Sequence, residues 1–397
     1  MLNEETRQFI RKHRSEDVQQ LALQFKPDQN AGVDLTTVLN QIAGRQAIEH
    51  KIPSWHERDD LVYPVRLSLE QCSSEATARY KASLLSGHSF ADLTGGFGVD
   101  TAFIAARFSQ ADYMEQQAEL VNIARHNFDR LGLNYIQTHN TDGLIFLKTM
   151  QPVDCVYLDP ARRSSTGKKI VRIEDADPNI VAIQDLLLAK AGTVAIKLSP
   201  MLDIHAARET LKNVCQIHIV SVENECKELL FLLRKDFSAE PAVCCVNIGK
   251  TNIQSDIFTL PEEKANAIPY TSNVEEYLYE PNVSLLKGGF YKSLAIRYAV
   301  NKLHPDSHLY TSASPVPDFP GRIFHVETVS SFNKKDLKEL LQDVSHANLS
   351  IRNFPLTVEQ LRKQLRIKEG GNLYLFATTL SNGRHVLLTT KKTGNFL

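Results

Sequence analysis

The 397-residue sequence has no C-x-x-C pair. Its six cysteines (Cys72, Cys155, Cys215, Cys226, Cys244 and Cys245) are scattered, so neither a zinc knuckle nor a disulfide framework is expected. Charge of one sign is missing too: the formal net charge is -1, which gives no chain-wide argument for a polyanionic partner and leaves any basic surface local. No run of about 18 uncharged apolar residues occurs, and the opening stretch MLNEETRQFIRKHRSED has no apolar segment of the signal-peptide kind, so the expected location is the cytoplasm. Low-complexity tracts and obvious repeats are absent as well. What remains is an ordinary balance of 43% hydrophobic and 23% charged residues, in a chain long enough for more than one core.

The pattern of apolar residues divides that length. Up to about Gly87 the spacing is helical, over Glu5 to Phe25, Leu35 to Ala47 and the segment Gln71 to Leu85, which predicts a helical region over 1–87. From Ser89 to about Arg234 short apolar strands alternate with helices, the signature of a parallel sheet covered on both faces. The strands are expected at Ser89–Asp92, Ala111–Glu115, Tyr135–Thr138, Val153–Leu158, Thr193–Leu198 and Gln216–Val222. Helices are expected between them at Gln117–Leu131 and Asp177–Ala191. After the last of these strands Asn224-Glu-Cys-Lys227 makes a tight turn into Glu228–Arg234, so one strand should run antiparallel to the rest. The predicted domains are therefore 1–87, 88–236, a connecting region 237–321 with a helix at Leu285–Leu303 and a possible ferredoxin-like module, and a small α+β domain over 322–397. That last domain ends in a hairpin around Ser-Asn-Gly383.

Chemistry concentrates at the strand ends. Asp92-Leu-Thr94-Gly95-Gly96-Phe97-Gly98 is a strand running into a glycine-rich turn and then a helix, where a ligand can approach the backbone closely. It is not a dinucleotide fingerprint, because Thr101 stands where the third glycine should be. Glu115, with Gln116 after it, ends the next strand, where a carboxylate can accept from two ribose hydroxyls. Thr141 and Asp142 follow the third strand, as an adenine contact or as a helix cap. The fourth strand ends in Asp159-Pro160-Ala161-Arg162-Arg163 and the fifth in Lys197, so all these loops leave the carboxyl edge of one sheet, where ligands bind in doubly wound folds.

These motifs resemble the class I S-adenosylmethionine-dependent methyltransferases. The resemblance implies a Rossmann-like α/β sheet, mostly parallel with one antiparallel strand, and S-adenosylmethionine as cofactor. It places the cofactor on Asp92, Thr94, Gly95, Gly96, Phe97, Gly98, Glu115, Gln116, Thr141 and Asp142, and the transferred methyl group beside Asp159 and Pro160. Amine-directed members usually continue with proline and an aromatic residue, where this chain has Ala161 and Arg162. The chain as a whole resembles bacterial methyltransferase-like proteins with a THUMP-like C-terminal domain, which implies RNA, commonly tRNA or rRNA, as substrate.

Asp159 is the expected base or acceptor-orienting group, with Arg162, Arg163 and Lys197 on the substrate and Lys168 and Lys169 in the same basic loop. No cysteine follows Asp159-Pro160 or sits near Ser199-Pro200, which argues against a covalent cysteine route. No metal and no membrane are expected. Residues 322–397 carry 12 Lys plus Arg against 6 Asp plus Glu, a local excess suited to a phosphate backbone. Two other readings stay open: an RNA-binding protein that keeps the fold without turnover, and a nicotinamide-dependent oxidoreductase, which Thr101 and the terminal hairpin disfavour.

Overall fold

The computed structural model describes residues 3–26, 32–162, 173–342 and 344–393, with Arg162 by its backbone alone. The chain folds as two units, residues 1–217 with 227–241 and residues 218–226 with 242–397.

The first unit holds β1 (Ser89–Asp92), β2 (Gln110–Glu115), β3 (Ile136–Asn140), β4 (Val153–Leu158), β5 (Ala191–Leu198), the first four residues of β6 (Val214–Val222) and all but the first two of β7 (Glu225–Arg234). Their order is β6-β7-β5-β4-β1-β2-β3. Strands β1 to β5 are mutually parallel, and β7 pairs antiparallel with β5 from Thr193↔Arg234 to Leu198↔Leu229. The reversal comes from a two-residue turn, Glu223-Asn224, with both φ values positive (48° and 65°), the conformation that matches strand twist in tight hairpins. It falls one residue earlier than the sequence suggests. Strand β4 is buried over its last four residues, as a central strand covered on both faces must be.

The helical lead shares the core of this sheet: Ile48, Ile52, Trp55, Leu69, Ala78 and Leu85 are buried in one cluster with Phe90, Tyr113, Tyr157 and Leu230. A smaller cluster of Leu21, Val38 and Ile42 lies apart from it. The long helix expected over Glu5 to Phe25 is two, Glu4–His13 and Val18–Gln24, because Asp17 caps the second by accepting from Gln19 N and Gln20 N. The helix expected over Asp177–Ala191 starts at Ile180, with Asn179 as its cap.

In the second unit β8 (Ala242–Ile248) and β9 (Ile253–Phe258) pair antiparallel. A further sheet is made of β10 (Tyr277–Pro281), β11 (Asn301–Lys302), β12 (Tyr310–Ser312), β13 (Gly321–Ser331), β14 (Asn348–Arg352), β15 (Leu373–Thr379) and β16 (His385–Lys392), in the order β11-β12-β10-β13-β16-β15-β14. Helices Lys334–Leu340 and Val358–Leu365 bury Leu337 and Leu361 with Leu375, Ala377 and Leu387. The helix expected over Leu285–Leu303 breaks into Val283–Gly288 and Tyr291–Arg297 at Gly289, whose φ of 77° ends a helix, and its tail becomes strand β11. Among the described residues no helix is long and apolar enough to cross a membrane, and no group of three or more metal-ligating side chains converges.

Candidate active site

At the carboxyl edge of β1 to β5 lies a cleft of about 930 Å³, lined by the glycine loop, the ends of β2 and β4, the Thr141–Leu144 turn, Lys197–Pro200, and Ser68, Gln71, Cys72 and Ser73 of the helical lead. Its described lining carries seven carboxylates, including Asp92, Glu115, Asp142 and Asp159, against two lysines, Lys197 and Lys227. Among the described lining residues that balance favours a cationic ligand.

The glycine loop is held from below. Asp92 is fully buried. One of its oxygens accepts from Thr94 N (3.0 Å) and the other from the Thr101 hydroxyl (2.6 Å). Burial pushes its carboxyl up to about 7 against those bonds. Thr101, which breaks the dinucleotide pattern, thus anchors the loop. Gly95 lies over the Tyr113 ring, so closely that a Cβ there would fall 2.1 Å from it, and the Tyr113 hydroxyl donates to Gly96 O. At Gly96 (φ 55°) a Cβ would meet nothing nearer than 3.9 Å, so this glycine leaves space in the cleft. Gly98 (φ 85°) opens the following helix. Phe97 lines the cleft, and its ring is buried edge-on against Trp55 (5.2 Å between centroids).

Glu115 ends β2 with one oxygen accepting from Gly96 N (3.0 Å) and the other from Gln117 N (2.8 Å). It therefore ties the loop to the strand end, and each oxygen keeps a lone pair for a ligand. Asp142 is the cap of helix Gly143–Thr149, accepting from Leu144 N (2.6 Å), while its other oxygen takes Gln116 Nε2 (3.0 Å). Thr141 N donates to Glu115 O (3.1 Å), so the two turns are joined.

Asp159 and Pro160 line the cleft. Asp159 N donates to Thr94 Oγ1 (2.6 Å), and Lys197 Nζ donates to Asp159 Oδ2 (2.5 Å). Burial alone would push the Lys197 ammonium down, but Asp159, Asp100 and Glu228 together hold it well above the usual lysine range. Arg163, Lys168, Lys169 and the side chain of Arg162 lie outside the described residues.

Behind this pair sits a charge network that motif reading misses. Lys81, 0% exposed, donates to both oxygens of Glu228 (2.7 and 2.8 Å) and to Ser73 Oγ (3.2 Å), and its ammonium lies 3.1 Å from Asp100 Oδ1. That last approach is not aligned for a hydrogen bond, so Asp100 Oδ1 is an ion-pair partner only. Asp100 Oδ2 accepts from the hydroxyls of Ser73 (2.7 Å) and Tyr157 (2.8 Å). One signal was in the sequence: Lys81 occupies the buried stripe of its helix with Thr77, Ala78 and Ala82.

Cys72 also lines the cleft, which the spacing of cysteines along the chain does not reveal. Its thiol donates to Leu69 O (3.2 Å) and burial pushes it up, the opposite of an activated nucleophile.

A THUMP domain-like family profile matches residues 321–392, and a ferredoxin-like domain profile matches 277–320. No curated protein matches the chain. A crystal structure from Porphyromonas gingivalis W83, described as a "putative methyltransferase", shares 32% identity and superposes with a TM-score of 0.87, covering 99% of this chain and 100% of that one. A Streptococcus mutans protein in complex with SAH (14% identity, 41% of this chain and 96% of that chain, TM-score 0.31) and M. capricolum TrmK in complex with the same product (15%, 44% and 70%, TM-score 0.32) also match, at levels that carry no argument. Strand order, reversed β7 and full-length similarity define the class as an α/β methyltransferase. The chain belongs to the same methyltransferase family as the Porphyromonas gingivalis protein and carries a THUMP domain-like module over residues 321–392.

Proposed function

We propose that the chain transfers a methyl group from S-adenosylmethionine to RNA, tRNA or rRNA, in the cytoplasm. The observation that carries the cofactor is the acidic cleft under a glycine loop. Its described lining has a large surplus of carboxylates, which suits a sulfonium cation and opposes the two phosphates of a nicotinamide dinucleotide. Glu115 has lone pairs left for ribose hydroxyls, the space above Gly96 takes the methionine portion, and Asp142 with Gln116 borders the adenine. When bound, S-adenosylmethionine supplies an electrophilic methyl carbon. The protein's own work is to hold the acceptor in line, exclude water and receive a proton.

RNA as substrate is supported by the THUMP domain-like match over 321–392 and by the basic excess of residues 322–397. The basic excess of that domain supplies groups of the kind that hold a phosphate backbone.

Calorimetric titration of the full-length protein with S-adenosylmethionine tests the cofactor. Micromolar binding is expected in the wild type and loss of it in Glu115→Ala and Gly96→Val, the latter because its side chain fills the cleft. Binding of a nicotinamide dinucleotide in its place would sink the reading. Binding of S-adenosylmethionine without transfer to any RNA would favour a protein that keeps the fold and binds RNA only.

A further inference from the structure

The geometry points to a hydroxyl group, the ribose 2′-hydroxyl of RNA, as the methyl acceptor, bound between Asp159 and Lys197. The inference rests on the RNA methyltransferase reading above and adds the atom that is methylated.

Three observations carry it. Asp159 Oδ2 is taken by Lys197 Nζ at 2.5 Å, while Asp159 Oδ1 has no hydrogen-bond partner among the described residues, so the pair offers one acceptor and one cationic donor side by side. Around Lys197 are the carboxylates of Asp100, which lines the cleft, and of the buried Glu228, with Lys81 pairing both of them. Lys197 is thereby kept cationic. Finally, the only aromatic rings among the described lining residues are Phe97 and Tyr157, both buried at 3% and 1% exposure, and the residue after Pro160 is Ala161.

The charge on Lys197 separates the two common acceptor types. An amine nitrogen becomes positive as its bond to carbon forms, and a fixed ammonium beside it opposes that charge. A hydroxyl oxygen becomes negative as its proton leaves, and the same ammonium stabilises it. The step then balances. The oxygen bonds to the methyl carbon as the carbon–sulfur bond breaks, its electron pair staying on sulfur to give a neutral thioether. The hydroxyl proton passes to Asp159 Oδ1 and on to water.

A flipped base is commonly stacked on an aromatic ring, and the described lining exposes no such ring. A ribose hydroxyl needs no stacking ring, and RNA carries such a hydroxyl at every nucleotide. Asp159 and Lys197 are the catalytic pair in this arrangement; Lys81, Asp100 and Glu228 are positioning residues.

The test uses the full-length protein, tritiated S-adenosylmethionine and total RNA from cells deleted for this gene, followed by alkaline hydrolysis. A methylated 2′-oxygen cannot attack the neighbouring phosphate, so label is expected in alkali-resistant dinucleotides. Label in mononucleotides overturns the hydroxyl acceptor and leaves the RNA methyltransferase reading standing. Label absent from all RNA, with S-adenosylmethionine binding intact, overturns both.

Two further readouts bear on the pair itself. Lys197→Met should lose transfer by about a hundredfold or more while cofactor affinity stays within about threefold. An unchanged rate overturns the role of Lys197. Carbon NMR of the lysine ε-methylene in the unliganded protein should show Lys197 charged to the alkaline limit of the fold, and charged less firmly in Asp159→Asn. Titration of Lys197 near neutrality in the wild type removes the fixed cation and overturns the inference.

Discussion

Each unit of the molecule buries a lysine completely, and they do it by opposite means. In the first unit Lys81 (0% exposed) meets ions: Glu228 by both oxygens, and Asp100. In the second unit Lys302 (1% exposed) meets dipoles and rings. It donates to the backbone oxygens of His304 (2.5 Å) and Pro305 (2.6 Å), with the faces of Tyr270, Tyr291 and Tyr310 between 5.6 and 5.9 Å away. Ion pairing holds charge in place at the edge of a cleft. Carbonyls and aromatic faces favour an ammonium less than carboxylates do, and a neutral amine still has two hydrogens to donate to the two carbonyls. Burial pushes Lys302 down to about 8 accordingly. The first arrangement is one a protein keeps for chemistry; the second plugs a core.

The comparison is broken most severely at Lys81. Lys81→Met should cost about 3–5 kcal/mol in urea unfolding, since it leaves Glu228 and Asp100 buried without their cation. Removing the charge of Glu228 as well, in Lys81→Met with Glu228→Leu, should restore much of that stability but no methyl transfer. If the single variant unfolds no more easily than wild type, the network is not the ionic frame its distances imply.

A second effect belongs to the acidic floor of the same cleft. Asp92 has a folded-state value near 7, raised above the ordinary 3.8 by burial, so between those two pH values the native state holds a proton that the unfolded chain has released. The stabilisation is therefore complete below about pH 4 and is lost as pH rises through 7. Asp92→Asn carries no such titration. Its stability relative to wild type should improve by roughly 2–4 kcal/mol between pH 4 and pH 8, read from urea melts at each pH. A constant difference would mean that Asp92 is ionised throughout.

At the glycine loop the expected effect is more local. A Cβ at Gly95 collides with the ring of Tyr113, which the fold buries at 0% exposure and cannot swing aside. Gly95→Ala should lower stability by about 1–3 kcal/mol and weaken S-adenosylmethionine binding by calorimetry. In a Tyr113→Leu background, itself less stable, Gly95→Ala should cost less than it does in the wild type, because the three atoms nearest the added Cβ belong to that ring.

These contrasts also show what sequence can and cannot reveal. The glycine loop, Glu115 and Asp159 were legible because each sits at a strand end inside a short contiguous motif, and the sheet edge brings strand ends together without further information. The reversed strand β7 was legible from its turn. Lys81 and Glu228 were not, since 147 residues separate them and only the finished sheet makes them neighbours. The two helix breaks were missed for a different reason. Apolar spacing continues through Gly289 and through Arg14–Asp17, and the signals that end a helix there are a left-handed glycine and a capping aspartate, which periodicity does not weigh. Asp142 carried both readings in its sequence, and its bond to Leu144 N shows the cap, with one oxygen turned to Gln116.

The smallest effect is expected at Lys302. Its folded value near 8 lies below the ordinary 10.5, so between those two pH values the unfolded chain holds a proton that the native state has lost, and stability rises with pH across that window. Below pH 8 the native state carries the full penalty of a buried ammonium. Lys302→Met removes that penalty and the two bonds to backbone oxygens together, so at pH 7 the change should stay within about 1 kcal/mol, and the rise between pH 8 and 10 should vanish. A loss as large as that of Lys81→Met would mean that the carbonyls and rings hold Lys302 as firmly as carboxylates hold Lys81, and the distinction between the two buried lysines would fall.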